Sequence, residues 1–282
     1  MQKNNRIKIY LLSMFVFLSY APAQAMNWLP NFSKIKSSVE NYYKTFVGDR
    51  LLQAAAGGNV SNIEFWLKWG AFIEFTDNSP RKFVPLYFAV SNQEHAAAEF
   101  LLKNGANIHH KNSGLSFLQI ALNRGDQNML KLLLRYKADI DEGNPNVLSW
   151  VAQWGRAEMV IILLAHGASL TKNPTLFADV LGRKNCMPWD NYLKIQKALI
   201  YAGIDTHVEG DQTAAELSQD IDVRNMIKHP CEIKKFCSVS EQIEFDEMMA
   251  QRRMVSMQNI GASHKQKNIF YKLKSRELTG TF

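Results

Sequence analysis

The sequence lacks most of the marks by which chemistry is recognised. Its 282 residues include three cysteines, Cys186, Cys231 and Cys237, too few for a scaffold built on disulfides. It contains no phosphate-cradling glycine loop, no H-E-x-x-H and no G-x-S-x-G, so common signatures of nucleotide, metalloprotease and serine-hydrolase chemistry are missing. His229, Cys231 and Cys237 resemble a metal-ligand set by residue type, but their spacing fits no common zinc pattern. Neither catalysis nor a metal or cofactor is expected. The excess of one sign of charge is also small. Of the formal +7, Lys3, Arg6 and Lys8 supply three at the extreme N-terminus, and the remainder is too weak to imply a nucleic-acid partner.

What is present is ordinary for a globular protein: 46% hydrophobic and 21% charged residues, enough to bury a core. The first 25 residues stand apart. Lys3, Arg6 and Lys8 precede an apolar run from Ile9 to about Tyr20, then the small-residue site Ala23-Gln24-Ala25. A basic region, a short apolar stretch and an A-x-A ending make a secretory signal peptide. The run is shorter than the about 20 residues that span a bilayer, so an uncleaved anchor is the lesser alternative. Export to a periplasm or to the outside is expected, with no stable membrane insertion after cleavage. In such an oxidising compartment Cys231 and Cys237 are a possible disulfide, leaving Cys186 buried or open to another chain.

The remaining chain repeats itself. The stretches beginning at Leu51, Leu86, Leu118 and Leu148 align without a gap over about 24 residues, as in "LYFAVSNQEHAAAEFLLKNGANIH". Ala54, Ala89, Ala121 and Val151 share the fourth position, and Gly70, Gly105 and Gly167 share a stop that Lys137 fills in the third copy. Each copy reads as a short helix, a turn, a second helix and a forced reversal. The first helix is barely two turns long and is unstable alone; it persists by burying its Leu and Ala face on neighbouring copies. The stop needs a left-handed residue, which glycine adopts cheaply.

A period near 33 with paired helices and a Gly-Ala stop resembles the ankyrin repeat. The L-L-x-x-G-A half is well kept; the T-P-L-H-x-A half survives best as "VPLYFA" at 84–89. The resemblance implies a mainly α solenoid of stacked helix-turn-helix units with short hairpin-like connectors, flanked by N- and C-terminal helices. The organisation expected is a signal peptide over 1–25, a capping helix over 26–49, repeats over 50–228 and a C-terminal helix and basic tail over 229–282. Within the array the units fall near 51–78, 84–112, 116–144, 146–173, 175–208 and 212–228. The fifth carries an insertion, "RKNCMPWDN" at 183–191, and the sixth is a polar terminal unit. After the array, Ser238 and Glu241 form a capping box, and Phe245, Met248, Met249 and Val255 make an apolar stripe that Arg252 interrupts. That helix is expected to pack on the last repeat.

The same resemblance implies a protein-binding scaffold with no cofactor, working through connector tips and exposed faces of the first helices. Here those positions are Arg81, Phe83, Leu115, Arg124, Tyr136 and Trp154. Aromatic and arginine residues are enriched at interface hot spots. A monomer is expected, with a protein partner and no nucleic acid. An effector delivered into a host cell is the alternative: the acidic cluster Glu241, Glu244, Asp246 and Glu247 is similar to delivery signals, although a secretory leader argues against direct transfer. A metal-binding or enzymatic protein is a more distant one.

Overall fold

The computed structural model describes residues 32–141, 147–172, 175–204 and 221–259. The signal-peptide region, the first helix of the sixth unit and the basic tail lie outside the described residues. Among the described residues the regular elements are all helical, and the only bridge pairs Asn112 with Leu115. The chain divides into two compact units, Met1–Ile120 and Ala121–Phe282.

In the first unit, α1 (Phe32–Ala56) is followed by α2 (Val60–Lys68), α3 (Pro85–Ser91) and α4 (His95–Lys103). The expected break between a capping helix and the first repeat near residue 49 is not seen, because α1 runs through it. Gly48, within this helix, serves packing: a Cβ there would overlap the ring of Phe75. The upstream half of α1 lies on the first repeat. The Tyr43 hydroxyl donates to the Trp69 carbonyl at 2.6 Å, and Phe46 meets Trp66 edge-on at 6.0 Å. Pro85 opens α3 at a position where a missing N–H costs nothing.

The second unit holds α5 (Phe117–Arg124, which begins just before the division), α6 (Gln127–Arg135), α7 (Val147–Gln153) and α8 (Ala157–Ala165). These are followed by α9 (Leu176–Leu181), α10 (Trp189–Tyr201), α11 (Ile221–Lys228) and α12 (Val239–Asn259). A 3₁₀ turn, Pro230–Phe236, joins the last two.

Two positions of the 24-residue unit demand a left-handed backbone. The stop is one: φ is 84° at Gly70, 90° at Gly105, 63° at Lys137 and 93° at Gly167. The turn between the paired helices is the other, with φ of 68° at Gly58, 63° at Gln93, 74° at Gly125 and 71° at Gly155. Lys137 and Gln93 thus occupy glycine positions at a conformational cost. Carboxylates join successive copies at equivalent places: Glu74 accepts the Asn107 N–H at 2.8 Å in the first unit, and Asp141 accepts that of Ser169 at 2.8 Å in the second. Caps follow the same register, since Asn59 caps α2 and Asp126 caps α6.

Candidate protein-binding surface

Two hairpin connectors in the first unit have geometry set by their own polar atoms. In the first, Asp77 N–H donates to the Phe83 carbonyl at 3.0 Å. The Asp77 carboxylate in turn accepts the Phe83 N–H and the Ser79 hydroxyl, both at 2.8 Å. The Asp77 charge is spent inside the hairpin, and Arg81 and Lys82 project from its tip. In the second, Asn112 and Leu115 exchange backbone hydrogen bonds at 3.1 and 3.0 Å around Ser113 and Gly114, at φ 55° and 80°. Two successive positive φ values make a tight hairpin turn of the primed kind. The buried Asn112 amide then donates to the Lys82 carbonyl at 3.2 Å, holding one tip against the next.

Behind the first tip, Phe83 stacks on Tyr87 at 4.1 Å and meets Phe88 edge-on at 6.0 Å. Tyr87 and Phe88 belong to α3, so the tip continues into the face of a first helix. Among the sequence candidates the structure brings Arg81, Phe83 and Leu115 to these adjoining tips. Arg81 is exposed; Phe83 and Leu115 are half-buried. In the second unit, Arg124 and Tyr136 stand at opposite ends of α6, which spans nine residues, or roughly 13 Å at helical rise. Trp154 is exposed just after α7 and Arg124 is the last residue of α5, so these two border the inter-helix turns and Tyr136 does not. The Arg156 guanidinium lies 5.1 Å from the Trp154 ring centroid and donates to the Leu122 and Asn123 carbonyls at the end of α5. Arg156 therefore ties one turn to the next, a role that spacing alone did not suggest.

With this geometry established, the profile for ankyrin repeats (three copies) matches residues 51–144 and 86–174. Over these residues the chain carries ankyrin repeats. It is also similar to the crystal structure of an ankyrin repeat domain from Acinetobacter baumannii AYE, at 22% identity and a TM-score of 0.54. That match covers 65% of this chain and 97% of the other, and at that identity the likeness concerns the fold. No curated protein matches the chain. Ankyrin repeats are, as a class, non-enzymatic modules of protein–protein interaction.

The rest of the second ankyrin unit differs from expectation in three places. First, α12 packs on α8, the second helix of the fourth repeat, and is also bonded to α10 of the fifth. The reason is α8 itself, "AEMVIILLA", with eight of its nine residues buried: a helix apolar around its circumference needs cover on every side. Phe245 and Met248 of α12 are buried. Arg252, which interrupts the stripe in sequence, donates to the Leu164 and Ala168 carbonyls at 2.9 and 3.0 Å. It so adds a side-chain donor at the end of α8, where the Leu164 carbonyl also accepts the Gly167 N–H at 3.1 Å. Burial pulls its guanidinium below the ordinary value.

Second, the acidic cluster is a docking face. Glu241 pairs with Lys197 at 3.0 Å, Glu244 with Lys194 at 2.8 Å and Asp246 with Lys234 at 3.1 Å. Burial alone would push the Glu241 carboxyl upward, but the Ser238 N–H and Lys197 outweigh it and hold the group below the usual range. Lys194 is likewise raised: desolvation is outweighed by Glu158 and Glu244. The expected capping box is formed, with Ser238 N–H to Glu241 at 2.7 Å and Glu241 N–H to the Ser238 hydroxyl at 3.2 Å.

Third, Cys237 is a free, buried thiol, so the pair with Cys231 is not formed; the Cys231 side chain lies outside what is described. Six residues at the roughly 2 Å rise of a 3₁₀ turn separate two Cα atoms by about 12 Å, and a disulfide spans no more than about 7 Å. Burial pushes the Cys237 thiol up. The insertion folds back onto the fourth repeat: Met187 covers Gly155, where a Cβ would approach within 2.6 Å, and Trp189 stacks on Tyr192 at 5.2 Å. Among the described residues no cluster of three or more His, Cys, Asp or Glu suits a metal, and no helix is long and apolar enough to cross a membrane.

Proposed function

We propose that this ankyrin repeat protein is an exported, non-enzymatic scaffold that holds a protein partner on its hairpin tips and the adjoining first-helix face. The observation that carries the proposal is the pair of tips at 77–83 and 112–115, fixed by Asp77 and tied together by Asn112. A preformed backbone loses little ordering entropy on association. Arg81, Lys82 and Lys111 are exposed there, while the neighbouring Asp77 charge is turned inward. The partner this suits has an acidic surface with an apolar contact for Phe83 and Leu115. Export rests on the leader, with cleavage after Ala25 and a periplasmic or secreted mature chain.

The test is affinity capture with the protein as the cell makes it, beside an Arg81→Ala/Lys82→Gly variant. Lys82 has φ 49°, so glycine removes its charge without disturbing the fold. Loss of one specific, stoichiometric partner with the variant supports the reading; retention of every partner overturns the surface. Cell fractionation and an N-terminal mass test export, and a chain found intact from Met1 in the cytoplasm contradicts it.

A further inference from the structure

The outward face of the fourth repeat departs from its sisters. Counting back from each stop, the position six residues earlier holds Glu64, Glu99 and Lys131 in the first three repeats, and the position two earlier holds Lys68, Lys103 and Arg135. These neighbours, one helical turn apart, meet water: Glu64 pairs with Lys68 at 2.7 Å and Glu99 with Lys103 at 3.1 Å, while Lys131 and Arg135 are both exposed. The fourth repeat has Ile161 and Ala165 there, 7% and 9% exposed, on the helix that α12 covers. In the fifth repeat the same two positions hold Lys197 and Tyr201, and both bond α12. Lys197 pairs with Glu241, and the Tyr201 hydroxyl donates to Asp246. The place of α12 is thus written at two register positions in two successive repeats. The first three repeats carry charges at those positions and fold without a cover, so Ile161 and Ala165 serve the helix that lies over them rather than the repeat itself.

That helix is held lightly. Of the described side chains of α12 only Phe245 and Met248 are buried. Its other ties include the two bonds of Arg252 and the ion pairs of Glu241, Glu244 and Asp246, whose paired side chains are 14% to 58% exposed. Water and salt weaken pairs of this kind. We propose that α8 and α10 form a helix-binding site, which α12 fills from within the chain and yields to an acidic amphipathic helix of a partner protein. The chemistry of that partner is the chemistry of α12. It brings carboxylates at the places of Glu241 and Glu244 to Lys197 and Lys194, and apolar side chains at the places of Phe245 and Met248, as an amphipathic helix does in a groove. Because α12 is tethered, it competes at a high effective concentration, and the site opens when partner helix or loosened ion pairs shift the exchange. No residue of the hairpin tips takes part.

The probe is a fluorescein-labelled peptide of residues 238–259, read by fluorescence anisotropy against the whole protein. Wild type, its site filled, is expected to bind weakly. Glu241→Lys/Glu244→Lys sets like charges against Lys197 and Lys194, and is expected to release α12 and bind the peptide about tenfold more tightly or better. Adding Ile161→Glu/Ala165→Lys, the residue types of Glu99 and Lys103, is expected to abolish that binding. Ile161→Glu/Ala165→Lys alone is expected to speed hydrogen exchange over 239–259 while 147–165 stays protected, since the sister repeats fold with such residues. Equal peptide binding by wild type and the charge-reversed chain, or none by either, overturns the proposal. So does lost protection over 147–165, which would make the cover part of the fold. A wild type that passes to a dimer in sedimentation velocity, at the concentration where the peptide binds, assigns the site to a second copy and overturns it too. Arg81→Ala/Lys82→Gly is expected to leave peptide binding unchanged, so failure at the tips and failure here are distinguishable.

Discussion

Replacing Lys137 by glycine should stabilise the protein. Lys137 sits at φ 63° where the equivalent positions hold Gly70, Gly105 and Gly167, and its side chain is exposed. Holding a residue with a Cβ in the left-handed region costs about 1–2 kcal/mol. Glycine returns some of this through the greater freedom of its unfolded chain, about 0.5–1 kcal/mol. The net expectation is a gain of roughly 0.5–1 kcal/mol, or about 1–4 °C in Tm for a chain of this size. The converse substitution isolates the backbone. A Cβ on Gly105 meets nothing within 4 Å at φ 90°, so Gly105→Ala should destabilise by about 1 kcal/mol with no clash to blame. Urea titrations followed by far-UV circular dichroism give both midpoints, and an unchanged slope shows that the folded and unfolded states keep their compactness. A neutral or lowered midpoint for Lys137→Gly, with Gly105→Ala harmless, would refute the register and the cause assigned to it.

Gln93→Gly, at φ 63°, should raise the midpoint by a similar amount, and its effect should add to that of Lys137→Gly because the sites share no partner. Gly48→Ala raises helix propensity yet should lower thermal stability by about 1–3 kcal/mol, since the new methyl overlaps Phe75; a stabilised variant would mean the ring yields freely. Arg252→Ala removes the donor that the Leu164 and Ala168 carbonyls share and should cost about 1–2 kcal/mol, seen as faster hydrogen exchange over 239–259 with little change over 85–103. The lowered Glu241 carboxyl adds stability that is complete above its unfolded value and lost as pH falls through the lower folded one. Acidification below about pH 4 should therefore loosen α12, and less so in Glu241→Gln; a loosening equal in both would place the acid response elsewhere. Cys237 should react with thiol reagents only after unfolding, whereas the exposed Cys186 reacts in the native protein.

The repeats were legible in the sequence because their signals are local. Each stop lies within a few residues of the Leu pair it terminates, and the register that exposed Lys137 as an exception follows from aligning Gly70, Gly105 and Gly167. The capping box of Ser238 and Glu241 is equally short-range. What escaped depends on partners far along the chain. Nothing near Gly48 in sequence announces Phe75 beside it, and Arg252 reads as a flaw in an apolar stripe until the carbonyls at the end of α8 appear. The strongest overlooked signal was α8, whose lack of any polar face announces a cover before the cover is known. Gln93 is legible in the same way, because Gly58, Gly125 and Gly155 hold its place in the other copies. The candidate surface was legible residue by residue but not in its grouping: Arg124 and Tyr136 are close in sequence and separated by the length of α6.

Hydrogen exchange of the protein with and without its captured partner tests the central claim most directly, because it maps contact without altering a residue. Slowed exchange at 77–88 and 111–119, with α12 unchanged, is the predicted footprint. Protection confined to 239–259, with both hairpins exchanging as in the free protein, would contradict it.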